Sequence, residues 1–258
     1  MLQTRDLTIR FGGHVAVDRV SCQFEPGTLT SIVGPNGAGK TTYFNLISGQ
    51  LSATEGSVWL QGQDISGLSA ALRARRGLGR AFQLTQLFAQ LSVLENVRLA
   101  VQAREQGRSQ GDWGVLDLFR VWSDPQNWTD EAQQLLQQVH LGQKLHLLAS
   151  ALPHGDQRKL EVALLMALDP LVYMFDEPTA GMSVDDVPII LELIRALKAR
   201  RDRTILLVEH KMDVVRELSD RIVVLHNGQL VADGKPAEVI SSPIVQQAYL
   251  GVPVQDSA

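Results

Sequence analysis

The stretch GPNGAGKT, residues 34–41, restricts what this chain can fold into more than any other part of it. It fits the pattern G-x-x-x-x-G-K-[ST]. It also follows an apolar run, TLTSIV, and opens a helical run, GKTTYFNLISG. A strand, a glycine-rich turn and a helix in that order form a phosphate-binding loop. Glycines let backbone N–H groups wrap an anion closely, and the following helix presents its positive end to the same anion. Gly34, Pro35, Asn36, Gly37, Ala38, Gly39, Lys40, Thr41 and Thr42 are therefore the expected nucleotide-binding residues. Lys40 is placed to neutralise the β/γ-phosphates, and the Thr41 hydroxyl to ligate Mg²⁺.

A phosphate loop that drives hydrolysis needs a carboxylate at a buried strand end to hold the Mg²⁺ shell. The run LVYMFDEP, residues 171–178, supplies Asp176 for that role. Glu177 comes next, where a carboxylate can orient or deprotonate an attacking water. The second acid favours a chain that hydrolyses ATP over one that only binds it.

The remaining pattern sets the organisation. Short β-type runs fill the first third, and from about residue 84 to 166 apolar residues recur at three-to-four spacing, as in SVLENVRLAVQARE and QRKLEVALLMAL. Strands and helices then alternate. RIVVLHNGQLVADG closes them as a hairpin through Asn227-Gly228. This predicts an α/β fold, a phosphate-loop NTPase core of mainly parallel sheet with an N-terminal antiparallel β part and an inserted helical subdomain. The expected boundaries are 1–83 and 167–251 for the core, 84–166 for the insertion and 252–258 for a flexible tail. Residues 106–114 read as a loop, and 184–201 as a helix.

Composition excludes several classes. A net charge of −4 over 258 residues does not suit a general nucleic-acid binder. One cysteine, Cys22, leaves no internal disulfide and no thiolate-rich metal site, which fits a reducing compartment. The N-terminus lacks the apolar core of a signal peptide, and no apolar run approaches the roughly 20 residues of a membrane span. Any service to a membrane must then pass through a partner.

At this point the chain resembles, from end to end, the ATP-binding subunit of an ABC transporter. The resemblance implies that Gln83, in RAFQ, is the glutamine that reaches Mg²⁺ and the attacking water. It implies that His210, in LLVEH, contacts the γ-phosphate. Phe11 matches the aromatic that stacks on adenine, the alternative being an ordinary strand residue in the core. The tetrad AGMS, residues 180–183, falls where such cassettes carry a D-loop, with Ser183 in place of the usual Asp. LPHGD, residues 152–156, falls at the signature loop, commonly Leu-Ser-Gly-Gly-Gln. Leu152 and Gly155 keep that pattern, whereas Pro153 has neither hydroxyl nor N–H and His154 stands for a glycine. The loop reads as an altered signature, with Gly155, the helix N-terminus and a donor from His154 facing phosphate; an unrelated loop is the alternative.

The resemblance further implies a head-to-tail dimer with a homologous ATPase subunit or a second copy, two membrane permeases and a periplasmic or extracellular substrate-binding protein. It places the chain on the cytoplasmic face of the membrane. RAFQLTQLFAQLSVLENV and SPIVQQAYLG resemble the branch that takes up branched-chain amino acids. A urea, amide or other small-solute importer stays open, as does a regulatory cassette paired with a competent homologue. The tryptophans Trp113, Trp122 and Trp128 mark a segment that either docks on a membrane subunit or packs into its own domain.

Overall fold

The computed structural model describes residues 1–81, 87–108, 125–243 and 245. They divide into two compact units, one within residues 1–80, 171–177 and 197–245, the other within residues 81–170 and 178–196.

In the first unit, β1 (Leu2–Phe11), β2 (His14–Phe24), β4 (Glu55–Leu60) and β5 (Gln63–Asp64) form an antiparallel sheet in the order β2-β1-β4-β5. A six-stranded sheet carries the order β10-β9-β3-β8-β7-β6. Its members are β3 (Leu29–Val33), β6 (Leu78–Ala81), β7 (Val172–Asp176), β8 (Thr204–Val208), β9 (Arg221–His226) and β10 (Gln229–Gly234). β3 runs parallel to β8 and β9, β7 runs parallel to β8, and β10 is antiparallel to β9. Every residue of β3, β7 and β8 is buried. Strands covered on both faces read as near-continuous apolar runs rather than alternation, which is how β7 and β8 read; β3 also buries Thr30 and Ser31, and Ser31 Oγ shares a hydrogen bond of 2.6 Å with Ser219 Oγ. At the β9–β10 turn Asn227 (φ 49°) and Gly228 (φ 78°) both adopt positive φ. That conformation matches the strand twist in a two-residue hairpin and is one Asn-Gly tolerates.

Helix α1 (Lys40–Ser48) buries Tyr43, Phe44, Leu46 and Ile47 in a core shared with Leu2, Phe24, Val58, Met174, Leu206 and Val223. Tyr43 is fully buried, and its hydroxyl shares a hydrogen bond of 2.7 Å with Thr4 Oγ1, so no polar atom is stranded there. The other helices of this unit are α2 (Ala70–Arg75), α7 (Met212–Leu218) and α8 (Pro236–Ile240).

The second unit is built on α3 (Val93–Arg108), α4 (Pro125–Gln138) and α5 (His154–Leu168), with most of α6 (Val187–Ala199). A capping box starts α3: Ser92 Oγ accepts from Glu95 N at 3.1 Å, and Glu95 Oε2 accepts from Ser92 N at 2.9 Å. Arg104 on α3 forks onto both carboxylate oxygens of Glu131 on α4, at 2.6 and 2.7 Å, and reaches Ala167 O on α5 at 3.2 Å. The planar guanidinium thus fixes three helices with one side chain. Helix α3 runs through Arg108, so the first three residues of the expected 106–114 loop are helical. Helix α6 starts three residues later than expected, because Ser183 ties residues 183–186 into a turn: its Oγ accepts from Asp186 N (3.2 Å) and donates to Asp186 Oδ2 (2.7 Å).

Candidate functional site

The phosphate loop lies between β3 and α1 with its ends pinned. Gly39, the residue before α1, has φ 96°, and a Cβ there would sit 2.5 Å from the Ala16 carbonyl oxygen, so only glycine fits. Gly228 N donates to Ala38 O at 3.1 Å, which seats the β9–β10 turn against the loop. No side chain caps α1, so its first-turn N–H groups are available to an anion. Lys40 is 6% exposed and donates to Gly34 O at 2.7 Å and Pro35 O at 2.9 Å. Burial holds its ammonium below the ordinary lysine value, while the negative fields of Glu177 and Asp176 pull the other way. Asn36, Gly37 and Thr41 are exposed, with Pro35 and Thr42 half-buried.

Asp176 closes β7, and its carboxylate is completely buried. Arg80, at the end of β6, donates to Asp176 Oδ2 at 2.6 Å. The same guanidinium reaches Asn45 Oδ1 (2.6 Å), Ser48 Oγ (3.1 Å) and Gln50 Oε1 (3.0 Å), and lies over the Phe44 ring at 5.5 Å. Asp176 Oδ1 is buried and has no hydrogen-bond partner among the described residues. A buried carboxylate oxygen left bare is what a divalent-cation shell would complete, so the residues present fit Mg²⁺.

Glu177 and His210 stand at the C-terminal ends of the neighbouring strands β7 and β8. Their side chains meet, with Oε1 2.7 Å from Nε2, and remain partly open to solvent. Glu177 has φ 51°, a left-handed conformation that costs a non-glycine residue roughly 1–3 kcal/mol. Its N–H donates to Val208 O (2.9 Å), which ties the strained residue to β8. The carboxyl ends of parallel strands are where open α/β sheets present ligand sites. Glu209 is 3% exposed, and its Oε2 accepts from the backbone N–H of His210 (2.8 Å) and of Lys211 (3.3 Å).

The other expected residues fall as follows. Phe11 ends β1 and is 50% exposed, so it is not a core residue. Gln83 lies outside the described residues, as do Trp113, Trp122 and residues 252–258; Trp128 is half-buried on α4. In the second unit, Leu152 is buried, Pro153 immediately precedes α5, His154 begins it with its side chain exposed, and Gly155 is half-buried. No side chain caps this helix start. Lys159 joins Asp156, of the same loop, to Asp186, and Lys144 also pairs with Asp156. Lys159 first, and Ser183 second, hold the Asp186 carboxyl below its usual range.

Sequence reading missed Arg80 and Glu209. The signal for each is a charged residue inside an apolar β run, in LGRAF and in TILLVE, because burial obliges such a group to find a partner.

Comparison with known proteins gives the family of the chain. A family model described as ABC transporter matches residues 17–180, and one described as branched-chain amino acid ATP-binding cassette transporter matches residues 229–254. The high-affinity branched-chain amino acid transport ATP-binding protein LivG of Escherichia coli is 38% identical over 252 residues, covering 97% of this chain and 98% of its own length. BraF of Pseudomonas aeruginosa, with the corresponding description, is 36% identical over 254 residues, at 97% and 98% coverage. An ATP-binding cassette of an ABC transporter solved in its ADP conformation superposes with a TM-score of 0.79 at 29% identity, covering 98% of this chain and 99% of that one.

Proposed function

This chain belongs to the ABC transporter ATP-binding cassettes, which bind ATP and hydrolyse it to power transport, and from that premise we propose that it energises uptake of branched-chain amino acids. The relatives' own descriptions and the match over residues 229–254 support the cargo class. The observation that carries the hydrolytic role is the 2.7 Å contact between Glu177 and His210 at neighbouring strand ends, with Glu177 and Asp176 both in electrostatic reach of Lys40.

The roles divide among this chain's residues. Phe11 offers its exposed ring to the adenine. Backbone N–H groups between Asn36 and Thr42 and the Lys40 ammonium hold the phosphates. Asp176 Oδ1 and the Thr41 hydroxyl would hold Mg²⁺. The bound ion would supply charge neutralisation on the β- and γ-oxygens. Glu177 accepts the proton of the attacking water, and His210, hydrogen-bonded to Glu177, orients that carboxylate and contacts the γ-phosphate. In-line attack needs a positioned water more than covalent chemistry, which suits a carboxylate fixed by a strained backbone and a histidine.

Among the described residues no helix is long and apolar enough to cross a membrane. The chain works at the cytoplasmic face through two permease subunits fed by a substrate-binding protein. It pairs head-to-tail with a homologous cassette or a second copy, so Leu152, His154 and Gly155 serve the partner's nucleotide. Uptake of labelled leucine by the reconstituted complex, set against urea, tests the cargo.

For the chemistry, Glu177→Gln in the assembled complex is expected to bind ATP within about threefold of the parent. Its turnover should fall by roughly 10²–10⁴, the usual contribution of a general base. Near-parental turnover would remove Glu177 from that role.

A further inference from the structure

From the turn that follows β8 we infer that Glu209 is a positioning residue, acting through His210; this rests on the hydrolytic role proposed for His210. Glu209 is an acid that burial should disfavour, yet it is 3% exposed at the end of a strand buried throughout. Its Oε2 takes the N–H of the next two residues, His210 at 2.8 Å and Lys211 at 3.3 Å. Those two amides lie between the end of β8 and the start of α7, where the chain leaves the sheet. A charge-assisted bond of this kind is about twice as strong as a neutral one and fixes the direction in which the His210 side chain departs. That side chain is itself 40% exposed, so little packing holds it. Its polar partner among the described residues is Glu177, met at 2.7 Å from the end of the neighbouring strand. An exposed imidazole stays in line with a carboxylate on another strand only if its backbone is pinned, and Glu209 is the pin.

The test separates positioning from bulk stability. The full chain, labelled with ¹⁵N-histidine, gives six imidazole signals, and His210 is assigned from its loss in His210→Ala. In the parent, Glu177→Gln shifts the His210 ring resonances, because it changes the atom at 2.7 Å. In a Glu209→Ala background that response is expected to fall at least about threefold. Glu209→Gln, which keeps an acceptor oxygen and fills the same volume, should retain most of it.

In the assembled complex Glu209→Ala should lower kcat by roughly 10–100-fold, in keeping with an ångström-scale misplacement. The KM for ATP should stay within about threefold, and Glu209→Gln should restore most of kcat. An undiminished His210 response in folded Glu209→Ala, or an unchanged kcat, would overturn the inference. Parental turnover in His210→Ala would instead overturn the role of His210, and the resonance experiment would still report whether Glu209 holds it.

Discussion

Arg80 and Asp176 offer a sharp test of the forces that hold the site. Arg80→Met removes a cation whose side chain is 5% exposed from a carboxylate that is fully buried 2.6 Å away. Two charges about 4 Å apart attract by roughly 4 kcal/mol at an effective dielectric of about 20. Breaking a buried pair from one side typically costs about 3–5 kcal/mol, because the remaining charge is left unsolvated. Here the loss includes the bonds to Asn45, Ser48 and Gln50, so about 4 kcal/mol is expected. Asp176→Asn should cost less, about 1.5–3 kcal/mol, since Arg80 keeps those three neutral acceptors. In the double variant the orphaned charge is gone, so its cost should fall short of the sum by about 2 kcal/mol or more. Urea unfolding followed by circular dichroism measures this. With a slope of roughly 2–3 kcal/mol per molar, Arg80→Met should move the midpoint down by about 1.3–2 M. A loss below about 1 kcal/mol, or additivity within about 0.5 kcal/mol, would show that the pair is not what holds β6 and α1 to β7.

Two further expectations follow from the phosphate loop. Gly39→Ala forces a Cβ to within 2.5 Å of the Ala16 carbonyl and keeps a residue at φ 96°; strain of about 1–3 kcal/mol should displace the loop. ATP affinity, read by fluorescent-nucleotide titration, should drop about tenfold or more, with helical content unchanged. The buried Lys40 titrates below the ordinary lysine value of 10.5. Between its folded value and that of the unfolded chain the unfolded state binds more protons, so stability contributed by this group rises with pH through that window. Phosphate binding reverses the bias, so nucleotide binding at alkaline pH should be accompanied by proton uptake. Calorimetry in buffers of different ionisation enthalpy measures the uptake, and Lys40→Met should abolish it.

The sequence by itself determined the features whose physics is local. The strand–loop–helix at residues 29–48 follows from glycine spacing and an apolar run. The Asn227-Gly228 turn follows from positive φ, and the buried strands β7 and β8 from near-continuous apolar stretches. Helix ends were less legible: α6 starts at Val187 because Ser183 and Asp186 close a turn between their own side chains and backbone, a choice periodicity cannot register.

Only the tertiary structure decided the partnerships. Arg80 and Asp176 lie 96 residues apart, and Glu177 and His210 lie 33 apart. Nothing between them in the chain specifies that they meet. The order β3-β8-β7-β6 does so, by bringing strand ends from distant segments side by side. A hydrogen bond or ion pair acts over about 3 Å, so its partner is chosen by where the backbone has been placed, and sequence separation carries no trace of that choice.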